Sequence, residues 1–280
     1  MTKLVPHPWS RDFAWTPPRG PFVRITPEQA AHYDAHGYVA LEDALAPELV
    51  AELIARLDPL EARVDAQLRA LPEQRAFIAD ARAITFTVHP AGRDARLREL
   101  ISSRPFAELA LDLLGRNVRL YWDQAVYKKS ERPRTFRWHQ DNGYGYVEPQ
   151  AYLTLWIALT DATRENGCLE VLPGMHKLGT LAHASSGDGI FLDLPEPAPP
   201  ELPEPVALPL RAGSLVAMSS LLPHRTGPNR TPYVRKAYIV QCCVDGAVRC
   251  AGDPRKPAPD RREPVAELPD AEQWRLSIPG

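Results

Sequence analysis

Residues 137–145 read RWHQDNGYG. His139 and Asp141 stand two positions apart, between a run rich in charge and proline and a run rich in aromatic residues. In a strand, residues i and i+2 project from the same face, so this imidazole and this carboxylate can grip one ion. The chain carries its own control, because His32-Tyr33-Asp34 repeats the spacing. That second copy lies in a helical pattern, where residues two apart point about 200° around the axis and cannot converge. His32 is therefore expected on a helix surface. The meaning of the first copy depends on whether it lies among strands, and the flanking sequence decides this.

From Val118 the apolar period is two. Val118, Leu120, Trp122, Gln124 and Val126 alternate with Arg119, Tyr121, Asp123, Ala125 and Tyr127, which predicts a strand leading into the His139 region. Tyr152 to Leu159 (YLTLWIAL) is apolar on both faces and reads as a central strand. Cys168 to Leu172, Leu215 to Met218 and Arg235 to Val244 follow, punctuated by Gly167, Pro173-Gly174 and Gly213. Short strands with turns between them predict a sandwich or barrel.

The part before Val118 reads as helical. Thr26-Pro27-Glu28-Gln29 is a start signal, with Thr26 as N-cap and Gln29 placed to close a capping box. Pro47 opens a second helix striped by Leu49, Leu53 and Leu57, and Pro59 a third carrying Leu60, Val64 and Leu68. Pro105 opens a fourth, which Gly115 is placed to end. Helices first and strands after argue against a doubly wound parallel sheet. Residues 195–209 (PEPAPPELPEPVALP) are too proline-dense for helix or central strand and read as a stiff surface connection rather than a lid. From Gly252 onward the chain is polar and proline-rich and is expected to wrap or fray.

The composition bounds the function. The chain has 280 residues, and 44% are hydrophobic, enough to bury a sizeable core. Lys and Arg number 33 against 35 Asp and Glu, a net charge of -2, so there is no field to collect nucleic acid or anionic lipid. No stretch has the length or apolarity of a signal peptide or a membrane span, which predicts a soluble, cytoplasmic protein. Cys168, Cys242, Cys243 and Cys250 form no CxxC and are expected as reduced thiols.

A bare H-x-D is a weak motif and needs a third ligand. His224, in LLPHRTGPNRT, follows a predicted strand and precedes a turn. An imidazole from a neighbouring strand completes two histidines and one carboxylate on one face of an ion, with open positions. That set suits non-haem Fe(II) oxygenases, whereas structural zinc fills four positions, often with sulfur. His89, His176 and His183 each lack a flanking strand partner of the right type. A 2-keto acid chelating in the open positions has a far carboxylate to neutralise, a task for arginine's planar, permanently charged fork. Of Arg225, Arg230 and Arg235, the first neighbours His224 and should point away, and the second lies in a turn. Arg235 starts a strand that puts it on one face with Ala237, Ile239 and Gln241, and is the choice.

Taken together, WHQD, LTLWIAL, ENGCLEVLPGMHKLG, AGSLVAMSSLLPHRTGPN and Arg235 resemble the phytanoyl-CoA hydroxylase family of Fe(II)/2-oxoglutarate dioxygenases, which includes ectoine hydroxylase. The likeness is densest from Val118 to Val244. It implies a mainly β fold, a double-stranded β-helix (jelly-roll, cupin-like) core with N-terminal helices packed on the major sheet. It implies one domain over residues 1–280, helical over about 25–115, jelly-roll over about 118–250 and irregular over 251–280. It also implies His139, Asp141 and His224 as iron ligands, and Arg235 on the 5-carboxylate of 2-oxoglutarate with Thr226 assisting. Trp156 falls where relatives have a tryptophan lining the cosubstrate pocket. Gln124 or Lys128 is placed to reach cosubstrate or substrate, and Tyr127, Tyr144 and Tyr146 are candidate walls of the substrate pocket. Relatives that halogenate replace the carboxylate by a small residue, so Asp141 disfavours that outcome. Met175 in PGMHKLG stands where relatives usually have serine.

The implied reaction consumes O2, converts 2-oxoglutarate to succinate and CO2, and hydroxylates a C–H bond of a small-molecule substrate. The same hydrogen abstraction can also end in desaturation, epimerisation or ring closure. A jelly-roll that binds a small molecule without turnover, and a metal-dependent isomerase or hydrolase on a cupin-like barrel, are the rival classes. The lone carboxylate beside two histidines counts against the latter, since cupins commonly offer more histidines.

Overall fold

A computed structural model describes residues 4–115, 117–187, 189–194 and 200–265. The chain enters its first helix, α1 (Pro27–His36), through the predicted capping box. Thr26 Oγ1 accepts from the Gln29 N–H at 3.2 Å, and Gln29 Oε1 accepts from the Thr26 N–H at 2.9 Å. Gly37 ends it at φ 83°, a left-handed conformation that glycine adopts without strain. The next helix, α2 (Pro47–Arg69), is one element where the proline pattern predicts two, because Pro59 lies inside it. Pro59 is exposed, so the carbonyl it leaves unbonded one turn back, on exposed Ala55, can turn to water. The buried stripe of Val50, Leu53, Leu57 and Leu68 continues past it. A short helix, α3 (Ala95–Ile101), capped by Asp94, had no clear sequence signal, whereas α4 (Arg104–Leu114) ends at Gly115 as predicted.

Strands interrupt this part of the chain, so it is not purely helical. Besides the two-residue pair Arg75–Ala76 and Ala79–Asp80, they are β1 (Tyr38–Leu41) and β2 (Ile84–Val88). The remaining strands that matter to the site are β3 (Val118–Lys128), β4 (Phe136–His139), β5 (Leu153–Ala158), β6 (Leu169–Val171), β7 (Val206–Leu208), β8 (Leu215–Ser219), β9 (His224–Thr226) and β10 (Arg235–Val244). The major sheet runs β1-β8-β5-β10-β3-β2, extended by two two-residue strands, and every pairing is antiparallel. The minor sheet runs β7-β6-β9-β4. This is the mainly β, jelly-roll architecture expected from the sequence. As predicted, β5 is central, flanked by β8 and β10 and buried at every residue.

Strand alternation divides the interior into two cores. Leu155, Ile157, Tyr238 and Val240 face the helices and pack with Leu53, Leu57, Leu97, Phe106 and Leu109. Trp156, Ala237, Ile239 and Val126 face the minor sheet and meet Leu169, Val171 and Met218. The unbroken alternation predicted over β3 fails at one point. Gln241 of β10 pairs with Trp122 and Cys242 with Leu120, so Tyr121 is the extra residue of a bulge. The bulge changes the phase: Val118 and Leu120 pack on the helix side, while Val126 packs between the sheets.

Within the proline-rich stretch, residues 195–199 lie outside the described residues, and β7 is the outer strand of the minor sheet, where proline-flanked strands are tolerated. Within the polar end, Arg261–Pro264 pairs with Val248–Ala251. Residues 266–280 lie outside the described residues. All four cysteines are free thiols, and no helix among the described residues is long and apolar enough to cross a membrane. Leu57 has no exposed surface and packs in the helix-side core, on the opposite face of the major sheet from the residues that meet the minor sheet. Leu57→Ala should cost about 2–5 kcal/mol in chemical denaturation, while the site described next keeps its ligands.

Candidate active site

β4 and β9 are neighbours in the minor sheet, and their register places His139 opposite His224, with ring centroids 4.1 Å apart. Each ring is oriented by a carbonyl two residues before it. His139 Nδ1 lies 2.8 Å from Arg137 O, and His224 Nδ1 lies 3.0 Å from Leu222 O. Only an N–H satisfies a carbonyl, so Nδ1 carries the proton and Nε2 keeps the lone pair in both. Burial, followed by the proximity of His224, holds the His139 pKa well below its ordinary value and keeps that ring neutral. Asp141 lies just past β4, in a single 3-10 turn (Asp141–Gly143), and reaches the same point because extended Gln140 continues the alternation for one residue. Its Oδ1 is 3.9 Å from His139 Nε2 and 3.7 Å from His224 Nε2. All three ligand atoms lie within 4.8 Å of one another. Two imidazole lone pairs and one carboxylate oxygen on a common point are a donor set that fits a divalent transition metal such as Fe(II).

The cavity behind this cluster is walled by Ile84, Phe86, Val126, Phe136, Trp156, Leu169, Met218 and Ile239, with Gln124, Thr154, Thr226 and Arg235 as its polar lining. Arg235 opens β10 and is 1% exposed, with its Cζ 5.1 Å from the centre of the Trp156 ring. Its Nε and Nη1 have no hydrogen-bond partner among the described residues. Burial brings its pKa down to about 10, which leaves it charged at neutral pH. A desolvated guanidinium with unmade hydrogen bonds is costly by itself and suits a carboxylate brought in by a ligand. A larger, more open cavity of about 810 Å³ between residues 9–19 and the end of α4 holds no cluster of metal-ligating side chains among the described residues.

Thus His139, Asp141, His224, Arg235, Thr226, Trp156 and Gln124 come together, with the Gln124 Oε1 accepting from the Trp122 indole N–H at 3.3 Å. Tyr144 sits at the edge of the site, its ring 5.4 Å from that of His139. Three candidates do not join them. The Lys128 ammonium donates to the carbonyls of Arg134, Thr226 and Gly227, so its three N–H bonds are used by backbone. Tyr127 faces the helices and donates to Asp58 at 2.6 Å. Tyr146 packs on His7 and Trp9 instead of the cavity. Arg225 points away, as expected, and pairs with Glu170 at 2.9 Å. His32 is exposed on α1.

Several contributing residues escaped the sequence reading. His183 is no ligand, but its Nε2 accepts from the Gln140 N–H at 2.9 Å while its Nδ1–H donates to Leu181 O at 2.9 Å. The Gln140 side chain, fully buried, donates to Gly179 O and Leu221 O and accepts from the Leu181 N–H. Residues 179–183 therefore brace the turn between the two ligands. Gly143 has to be glycine because a Cβ there would fall inside the His183 ring. Thr154 donates to Asp141 Oδ2 at 2.6 Å. For Thr154 a signal existed, since it is a hydroxyl between Leu153 and Leu155 in an otherwise apolar strand.

The sequence profile of the family described as "Phytanoyl-CoA dioxygenase (PhyH)" matches residues 33–237. A protein named phytanoyl-CoA dioxygenase from Arabidopsis thaliana is 26% identical over 278 residues, covering 88% of this chain and 98% of its own. The solved structure of EctD from S. alaskensis with 2-oxoglutarate and 5-hydroxyectoine superimposes with a TM-score of 0.65 at 25% identity, covering 95% of this chain and 93% of its own. The 2-oxoglutarate-dependent (alpha ketoglutarate-dependent) carbocyclase SnoK from nogalamycin biosynthesis gives 0.69 at 24% identity, covering 93% and 97%, a likeness that speaks for the fold alone. The chain belongs to the phytanoyl-CoA dioxygenase family, whose members are dioxygenases that use Fe(II), 2-oxoglutarate and O2.

Proposed function

We propose that this protein hydroxylates a C–H bond of a small-molecule substrate, holding Fe(II) on His139, Asp141 and His224 and 2-oxoglutarate against Arg235. One observation carries the assignment: a buried, partly unpartnered guanidinium opens on the same cavity as three convergent ligand atoms. Bound iron and 2-oxoglutarate supply the oxidising chemistry, in which O2 and the keto acid become succinate and CO2 and one oxygen atom passes to the substrate carbon.

The residues divide the remaining work. Two imidazole lone pairs and one carboxylate would hold a divalent ion while offsetting only part of its charge, so an anionic chelate could join them. Arg235 neutralises the far carboxylate of that chelate, with Thr226 beside it and Trp156 as a flat wall. The apolar wall of Ile84, Phe86, Val126, Leu169, Met218 and Ile239 excludes water from the reacting centre. Gln124 and Tyr144 stand where a substrate can meet them. The four free thiols fit a reducing compartment, and we place the protein in the cytoplasm, as one catalytic domain.

Anaerobic addition of Fe(II) and 2-oxoglutarate should produce a weak visible charge-transfer absorption, absent in His139→Ala. No band in the wild-type protein contradicts the reading. Arg235→Ala should raise the KM for 2-oxoglutarate about thirtyfold or more, since truncating one partner of a buried charge pair costs about 2–5 kcal/mol. An unchanged KM would move the cosubstrate elsewhere. Scoring succinate over a substrate panel finds the substrate, and product mass separates hydroxylation, which adds one oxygen, from desaturation or ring closure, which removes hydrogen.

A further inference from the structure

We infer that Thr154, backed by Gln241, is a positioning residue that holds Asp141 to ligation through a single oxygen. The inference rests on the metal site proposed above and concerns what keeps that site open.

Thr154 is the second residue of β5, with 1% of its surface exposed, and its hydroxyl points between the two sheets into the cavity. Two polar groups meet it there. Asp141 Oδ2 is 2.6 Å away, and Gln241 Nε2, from the residue directly opposite on β10, is 3.2 Å away. An amide N–H can only donate, so it takes a hydroxyl lone pair, and the hydroxyl proton is left for the carboxylate. The result is a directed relay from β10 through β5 to Asp141, ending in a short, charge-assisted bond.

Asp141 needs such a tether. It lies beyond the end of β4, in a turn whose backbone is held through Gln140 and through the Asn142 N–H on Ser220 O, but those bonds leave the carboxylate itself to rotate about its own side-chain torsions. The tether also selects between its oxygens. Oδ1 lies within 4 Å of both imidazole Nε2 atoms, while Oδ2 is held by Thr154. A carboxylate engaged in this way offers one oxygen to an ion. Three protein atoms would leave an ion that prefers six ligands with room for a two-atom chelate and O2, whereas a carboxylate bound through both oxygens would take up part of that room.

The test uses the metal-free protein and Co(II), a spectroscopic stand-in for Fe(II), with calorimetry for affinity and visible absorption for coordination. Thr154→Val keeps the shape and removes the hydroxyl, and should weaken Co(II) binding about 10- to 100-fold and alter the ligand-field bands without shifting the unfolding temperature by more than a few degrees. Thr154→Ser restores the donor and should bind within about twofold of wild type. Should the valine variant not fold, Thr154→Ala removes the same hydroxyl and carries the comparison. Wild-type affinity and spectrum in the hydroxyl-less variant would overturn the inference alone. Failure of wild-type protein to take up Co(II) would overturn the metal site, and the inference with it.

Discussion

The structure turns on one pairing, that of β4 with β9. It sets His139 opposite His224 across a sheet, and with that single register the two imidazoles, 85 residues apart in the chain, acquire a fixed separation. A slip of one residue would send one ring to the outer face, because side chains alternate with period two. The register is protected from both sides. β6 pairs with β9 and continues the minor sheet, and the Lys128 ammonium ties down the carbonyls of Thr226 and Gly227 where β9 ends. Lys128 thus serves the site from behind, through backbone, and not by touching a ligand.

Around this pairing the fold assembles polar groups that would be costly anywhere else. Arg235, Thr154 and Asp141 line a cavity whose wall is largely aliphatic and aromatic, and Gln241 reaches the Thr154 hydroxyl. Gln140 and Asn142, both buried, are fully engaged beneath the turn, Asn142 with Thr180 and the Val147 N–H. Polar groups buried and satisfied in this way fix one arrangement, since each alternative leaves a donor or acceptor unmade. Arg235 is the exception whose hydrogen bonds remain to be made, and this unmade set is the structural sign of a ligand.

Much of the candidate cluster was readable because several of its signals are local. The two-residue spacing of His139 and Asp141 in strand context, the contrast with helical His32, and the place of Arg235 at a strand start need no tertiary knowledge. What was missed depends on contacts distant in sequence. The phase change at Tyr121 exists only because β10 pairs with β3 around a bulge, so a period-two reading wrongly extended one face through it. Tyr127 and Tyr146 look alike as aromatic residues near the motif, yet one is claimed by Asp58 of α2 and the other by the segment near Trp9. Pro59 reads as a helix start, and its position on the solvent side of α2 shows why it is not. β2 carries a β-branched, alternating pattern (ITFTV) that could have been recognised, and overlooking it hid Ile84 and Phe86 from the cavity wall.

The proposed chemistry needs a single ion shared by residues 139, 141 and 224, with the cosubstrate reaching from that ion to Arg235. Anomalous X-ray scattering at the iron edge, from crystals grown without oxygen in Fe(II) and 2-oxoglutarate, examines both ends at once. One strong peak is expected between the two Nε2 atoms and Asp141 Oδ1, with a carboxylate lying flat against the Arg235 guanidinium. A peak centred elsewhere, or 2-oxoglutarate bound with Arg235 untouched, would contradict that chemistry.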